Sequence, residues 1–163
     1  MKLNQRNYSQ KSNFVCGSNV LSSLPFYAQT VNLPGVNFSL PEVGGRSGTR
    51  INLNSDTITF SELSIDIIID EDYTIYKDIM NLVFTKINPE TGTYVDFSFD
   101  FWIELLDDMS NKVMKIEYYN CKIESVGEAS LDSMDDSTEN VFSLSLKFDY
   151  FKIINQNIPT LRV

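Results

Sequence analysis

Histidine is absent from the 163-residue chain, and that gap removes much familiar catalytic machinery. Ser-His-Asp and Cys-His systems need an imidazole base, and His-based zinc and iron sites need its ring nitrogens. Cysteine is nearly absent too. Cys16 and Cys121 are the only two, too few for a structural zinc site on their own. In a chain expected to act in the cytosol where it is made, they are expected to be free thiols. No run of about 18 apolar residues occurs, so no membrane-crossing helix is available and no membrane partner is expected. The opening MKLNQRNYSQKSNF lacks the apolar centre of a secretory signal. Gly-x-Gly-x-x-Gly and Walker-type loops are missing, and the spacing of Gly44-Gly45-Arg46-Ser47-Gly48 does not suit a phosphate cradle. Cations are scarce: 13 Lys and Arg against 22 Asp and Glu give a net charge of −9. Gripping DNA or RNA needs clustered cations, so such a chain is a poor nucleic-acid binder. A surface past which DNA slides without sticking is still permitted.

What remains is apolar and aromatic, with 42% hydrophobic residues, 11 Phe and 8 Tyr. A chain of this size fits one domain of about 100–200 residues. It can bury about 70% of its unfolded surface without a metal or disulfide. Residues 1–12 read as a flexible polar arm, 13–154 as a single β domain, and 155–163 as a tail without periodicity.

Alternation of period two marks the strands. Short strands are expected at Asn13–Gly17, Phe26–Asn32, Asn37–Leu40 and Arg50–Leu53, with a longer one at Thr57–Asp70. In the last, Leu63, Ile65, Ile67 and Ile69 alternate with Glu62, Ser64, Asp66 and Asp70. Phe97 to Leu105 alternates with Asp96, Ser98, Asp100, Trp102 and Glu104, and Phe142 to Tyr150 alternates with Ser143, Ser145, Lys147 and Asp149. Met114, Ile116 and Tyr118 keep one phase, which slips to Cys121 and Ile123 beyond Asn120, as at a bulge. Pro41–Thr49, with three glycines in five positions, reads as a mobile loop. Ile75, Ile79, Leu82 and Val83 make a helical stripe from about Tyr73 to Thr85. The expected fold is mainly β, an antiparallel sandwich or rolled barrel with one packed α-helix.

The acidic triplet Asp70-Glu71-Asp72 is the strongest chemical temptation. A calcium loop of the EF type needs further ligands, a central Gly and a terminal Glu, but Tyr73-Thr74-Ile75 opens a helix there. Asp72 is therefore read as the helix N-cap, with Asp70 and Glu71 favoured by the positive end of the helix dipole. Asp132, Asp135 and Asp136 read as a solvated loop. A glycoside-hydrolase carboxylate pair is a spatial feature that sequence does not settle. Trp102, outward on an acidic strand, is either covered by the helix or part of an interface.

Several stretches in order carry a resemblance: Val31-Asn32-Leu33-Pro34-Gly35-Val36, a glycine-bearing loop, and Asp56-Thr57-Ile58-Thr59-Phe60. A strand ending in Asp70-Glu71-Asp72 before the helix follows, then Ser125-Val126-Gly127-Glu128 and a strand closing on Phe148-Asp149-Tyr150. Over residues 13–152 the chain resembles the tail-tube fold of contractile-tailed bacteriophages. Leu-Pro-Gly, Ile-Thr-Phe and Asp-Glu-Asp before a helix look more like the tail completion branch (tube terminator and sheath stabiliser) than the major tube branch. Gly45-Arg46-Ser47 and Ser55-Asp56-Thr57 depart from stretches typical of tube subunits.

The resemblance implies a non-enzymatic virion protein of the tail, assembled in the host cytoplasm without a cofactor. It implies a homo-hexameric ring that meets tube, sheath and neck proteins, its sheets joining around a channel through which DNA passes. The runner-up is a major tail tube subunit in stacked hexameric rings, and a more distant reading is a carbohydrate-binding β-sandwich. Subunit contacts are expected through Gly44, Gly45, Arg46, Ser47, Gly48, Thr49 and Arg50, with the arm before Asn13 and the tail after Asn155. Asp96, Ser98 and Asp100, or their counterparts Ser143 and Ser145, are the candidates to face the channel.

Overall fold

Antiparallel pairing joins every strand among the described residues. A computed structural model describes residues 10–134 and 138–155. In chain order the elements are β1 (Phe14–Ser18), α1 (Leu24–Tyr27), β2 (Ala28–Val31), β3 (Val36–Phe38), β4 (Glu42–Gly44), β5 (Arg50–Asn52) and β6 (Ile58–Phe60). Then come β7 (Leu63–Ile68), α2 (Thr74–Lys86), β8 (Phe99–Leu106), β9 (Lys112–Val126), β10 (Val141–Lys147) and β11 (Tyr150–Asn155).

One long strand forms the hinge of the architecture. β9 runs for 15 residues. β10 pairs with its second half (Lys147 opposite Lys122), and β11 pairs with its first half (Tyr150 opposite Tyr119). β10 and β11 thus follow one another along the same side of β9. The first half of β9 lies in a sheet ordered β1-β8-β9-β11, and its second half lies in a sheet ordered β9-β10-β7-β2. This is a β-sandwich rolled around a shared corner, as alternation predicted.

The bulge expected beyond Asn120 sits at that corner. Phe99 opposes Cys121 while Phe101 opposes Tyr118, so three residues of β9 face two of β8. Asn120 takes φ 55°, in the left-handed region that Asn tolerates better than most side chains.

The core lies between the sheets. Leu63, Ile65, Ile67, Phe142, Leu144 and Leu146 meet Cys16, Phe101, Ile103, Ile116, Tyr118 and Cys121, all buried. Fully burying one such Leu, Ile or Phe side chain is worth about 1.5–3 kcal/mol. Ile75, Ile79 and Leu82 carry α2 into the same core, and the Tyr76 ring stands edge-on to Phe142 at 5.5 Å.

Several boundaries differ from expectation for local reasons. The strand expected at Phe26–Asn32 begins as α1, a single turn with Pro25 in its first positions, where a missing N–H costs nothing. The strand expected at Thr57–Asp70 breaks at Ser61-Glu62. There the Ser61 backbone N–H donates to the Gly35 carbonyl at 3.0 Å, and Ser61 Oγ accepts from the Gly35 N–H at 2.6 Å. β6 therefore leaves the sheet while β7 stays in it. Helix α2 is displaced by one residue from expectation, and its N-cap is Tyr73, not Asp72. Tyr73 takes φ 56°, closing a turn in which its N–H reaches the Asp70 carbonyl. That turn swings the Asp70 carboxylate over the helix start, where Oδ1 accepts from Ile75 N–H at 3.3 Å, and leaves Asp72 to accept from Lys77 Nζ through its main-chain oxygen. Burial works against ionisation of Asp70, but hydrogen bonds from Thr74 and Ile75 outweigh it and hold the carboxyl below its ordinary range.

Candidate assembly surface

The outward face of the β9-β10-β7-β2 sheet is built by alternation. Phe142, Leu144 and Leu146 turn inward, so Ser143, Ser145 and Lys147 turn outward. Register then fixes their neighbours. Ser143 lies opposite Asp66, which lies opposite Thr30 on β2, and the Thr30 hydroxyl donates to Asp66 Oδ2 at 3.0 Å. Ser145 lies between Ser64 on β7 and Ser125 on β9. Lys147 pairs with Glu124 at 2.6 Å, beside Lys122. That ion pair depresses the Glu124 carboxyl and raises the Lys147 ammonium. The result is a strip of short hydroxyl side chains with few charges, broken by one hydrogen-bonded Asp. Small side chains are structurally required where β9 leaves the strip, since a Cβ on Gly127 would sit 2.3 Å from Ser143 Oγ.

Among the described residues this sheet ends openly on both sides. β2 is the last strand on its side. On the other, pairing of β8 with β9 stops at Cys121, so Lys122–Val126 has β10 on one side and no second strand among the described residues. Unpaired edges of this kind invite another strand.

A second surface projects from the sandwich. β3 pairs with β6 and β4 with β5, forming a two-stranded ribbon, the two halves joined where Leu53 N–H donates to the Pro41 carbonyl at 2.9 Å. Its base is anchored by Phe60, 5.2 Å from Phe148 and 5.5 Å from Phe151 between ring centroids. The segment Pro41–Thr49, read from sequence as a mobile loop, contains β4 and the turn at the ribbon's tip. Gly45 N–H donates to the Thr49 carbonyl at 2.6 Å, Ser47 and Gly48 take positive φ, and Arg50 pairs with Glu42 at 2.8 Å across the strands. A Cβ on Gly45 would lie 2.8 Å from the Thr49 oxygen, so glycine is what permits this tight return. Phe38, Val43, Ile51 and Ile58 on the ribbon are exposed.

The outer face of the other sheet is a network of charged and aromatic side chains. Trp102 is half-buried and its ring lies over Gly17, where a Cβ would come within 2.4 Å of Cζ2, with Lys115 Nζ 5.5 Å from the ring centroid. Tyr119 stacks on Tyr150 at 4.9 Å, with Lys152 Nζ 5.3 Å from its ring, and donates its hydroxyl to Glu117 at 2.6 Å. That bond pushes the Tyr119 hydroxyl up to about 12. These rings are engaged with neighbours, which leaves them poor stacking platforms for a sugar.

The five channel candidates do not share a surface. Ser143 and Ser145 lie together on the hydroxyl strip. Asp100 is on β8 in the other sheet, its N–H bonded to Asn19 Oδ1, and Asp96 and Ser98 are exposed ahead of that strand. Sequence reasoning missed Ser64, Asp66 and Ser125 as neighbours of the two serines, and Thr30 as the partner of Asp66; alternation marked Ser64 and Asp66 as outward but could not say which strands are adjacent. Asp135, Asp136 and residues 1–9 and 156–163 lie outside the described residues. Among the described residues, no group of three or more His, Cys, Asp or Glu is placed to hold a metal ion.

Comparison with known proteins places this fold. No family model matches the sequence, and no curated protein matches it. Solved structures do. A chain of the anti-feeding prophage cap, described as a tube-terminating cap, superposes with TM-score 0.72 at 13% identity, covering 95% of this chain and 96% of that one. A chain of the anti-feeding prophage baseplate gives TM-score 0.71 at 11% identity, over 94% and 99%. A chain of an extracellular contractile injection system, in its PVC sheath-tube complex, gives 0.67 at 12% identity, over 91% and 92%. The chain has the fold of these contractile-system proteins over nearly its whole length. At such identities the likeness concerns fold alone.

Proposed function

We propose that the protein is a structural subunit of a contractile tail, six copies of which close a ring that completes the end of the tail tube. In this reading the ring stabilises the sheath end, joins it to the neck and leaves a channel for DNA. The observation that carries it is the β9-β10-β7-β2 sheet: four strands of alternating direction, open at both edges among the described residues, with a hydroxyl-bearing outer face. Because the strand directions alternate and their number is even, β2 of one copy meets β9 of the next antiparallel. Identical head-to-tail contacts then close into a ring, and a closed barrel leaves no edge exposed.

The wall so formed supports passage without capture. Per copy it carries Glu62, Asp66 and Glu124 against Lys122 and Lys147, and Lys147 is already paired with Glu124. Phosphate finds no cluster of free cations there. The ribbon tip Gly44–Arg50 is the proposed contact between copies, and the virion tail, assembled in the host cytoplasm, is the proposed location. The major tube subunit is the second reading, favoured by the superposition on a chain of a sheath-tube complex.

Electron microscopy of the protein mixed with polymerised tail tube separates these readings. Caps on one tube end support the completion role, long tubes from the protein alone support the tube subunit, and no association contradicts both.

A further inference from the structure

Among the described residues two apolar surfaces have no cover, and the charges at the tip of one and around the other are opposite. The first is the ribbon, where Phe38 is 60% and Ile51 is 56% exposed. Its tip carries Arg46 and Arg50 against Glu42, while the ribbon's other carboxylate, Asp56, lies away from the tip between β5 and β6; Arg46 has no ion-pair partner among the described residues. The second lies where α2 ends. Ile87 and Tyr94 form a bridge, the Val95 N–H donates to the Lys86 carbonyl at 2.9 Å, and the Asn88 N–H donates to the Thr93 carbonyl at 3.0 Å. The last turn of α2 and this small hairpin set Phe84, Ile87, Tyr94 and Val95 at the surface, between 51% and 63% exposed. Glu90 and Asp96 stand beside it with Lys86 the one cation of the stretch, and neither carboxylate has an ion-pair partner among the described residues.

We infer that the ribbon of one copy docks on the patch at the end of α2 of another copy. Monomeric proteins seldom leave contiguous apolar patches uncovered, and two on one chain call for two partners or for one another. A heterologous contact joins two different surfaces of the same chain, and so repeats from copy to copy. Charge selects this pairing over the alternatives. Patch against patch sets Glu90 and Asp96 against themselves, and ribbon against ribbon does the same to the arginines. Ribbon against patch sets guanidinium beside carboxylate around an apolar centre, the arrangement that favours one partner and one register. The inference rests on the reading that copies associate, and adds which surface receives the ribbon.

Two single-cysteine variants, Ile51→Cys and Tyr94→Cys, test it. Cys16 and Cys121 are buried, so the introduced thiols are the accessible ones. The variants are mixed, treated with a short bismaleimide and run on a denaturing gel, with sedimentation of the same mixture read in parallel. A cross-linked dimer in the mixture, absent from either variant alone, is the expected result. Adding Arg46→Glu to the first variant lowers its yield about two- to fivefold, the range for one exposed ion pair, and Glu90→Arg on the second restores it. Sedimenting assemblies without the mixed cross-link overturn the docking and leave the ring reading standing. Absence of both assembly and cross-link overturns the two together.

Discussion

The side-chain amide of Asn120 donates to the carboxylate of Asp149 at 3.1 Å, across the corner where β9 passes from one sheet to the other and β10 gives way to β11. The Asp149 N–H donates to the Tyr119 carbonyl at 3.2 Å in the same place. A left-handed residue in β9 and the step between β10 and β11 are thus tied together.

Removing either partner weakens this tie. Asn120→Ala and Asp149→Ala are each expected to lower stability by about 1 kcal/mol, the net worth of an exposed hydrogen bond with an ionised acceptor. Asn120→Val costs more, because a β-branched side chain tolerates positive φ poorly. Urea unfolding midpoints report this. An unchanged midpoint for both alanine variants would refute a structural role for the pair.

Trp102 rests on Gly17, and any side chain at position 17 displaces the ring. Gly17→Ala is expected to destabilise by roughly 1–3 kcal/mol, as overpacking does. Since Trp102 is the only tryptophan, its emission shifts to the red in the same variant as Lys115 and Gly17 lose their grip on it. Wild-type emission and stability in Gly17→Ala would contradict the packing described.

Burial pushes the thiols of Cys16 and Cys121 up to about 12. The thiolate is the reactive species, so the folded protein at neutral pH is expected to give almost no maleimide adduct, and both thiols react in denaturant. Rapid labelling of native protein would mean that the interface between the sheets opens readily.

Asp107 organises the β8–β9 turn. Its carboxylate accepts from the Asn111 side chain and main-chain N–H, and from the Met109 N–H, and these bonds hold its carboxyl below the ordinary range. A depressed folded-state value means that the contribution is present above the unfolded value of about 3.9 and is lost as pH falls through the folded one. Asp107→Ala is therefore destabilised relative to wild type at pH 7, and the difference narrows as the pH drops below about 4. A difference independent of pH would contradict this origin.

Elements whose faces differ in polarity were legible from the sequence. β7, β10 and α2 each place apolar residues at a fixed period, and the phase slip after Tyr118 announced the bulge at Asn120. Long-range pairing was not. Nothing in the serine spacing says that β10 lies between β7 and β9, so Ser64 and Ser125 were not joined to Ser145, and Asp100 was grouped with serines of another sheet. Strands were expected near β3, β5 and β6, but not their joining into a ribbon, and β4 escaped because its three residues are all exposed and too few for a period. Asp72 lost the N-cap role to a backbone feature, the left-handed Tyr73, which composition does not foretell.

Cryo-electron microscopy of the assembled protein tests the central claim most directly. The predicted result is a six-membered ring in which residues 28–31 of each copy bond antiparallel to residues 122–126 of the next, with Thr30, Ser64, Asp66, Ser125, Ser143 and Ser145 facing the lumen. A ring closed through other edges, or a lumen walled by the Trp102 face, would contradict it.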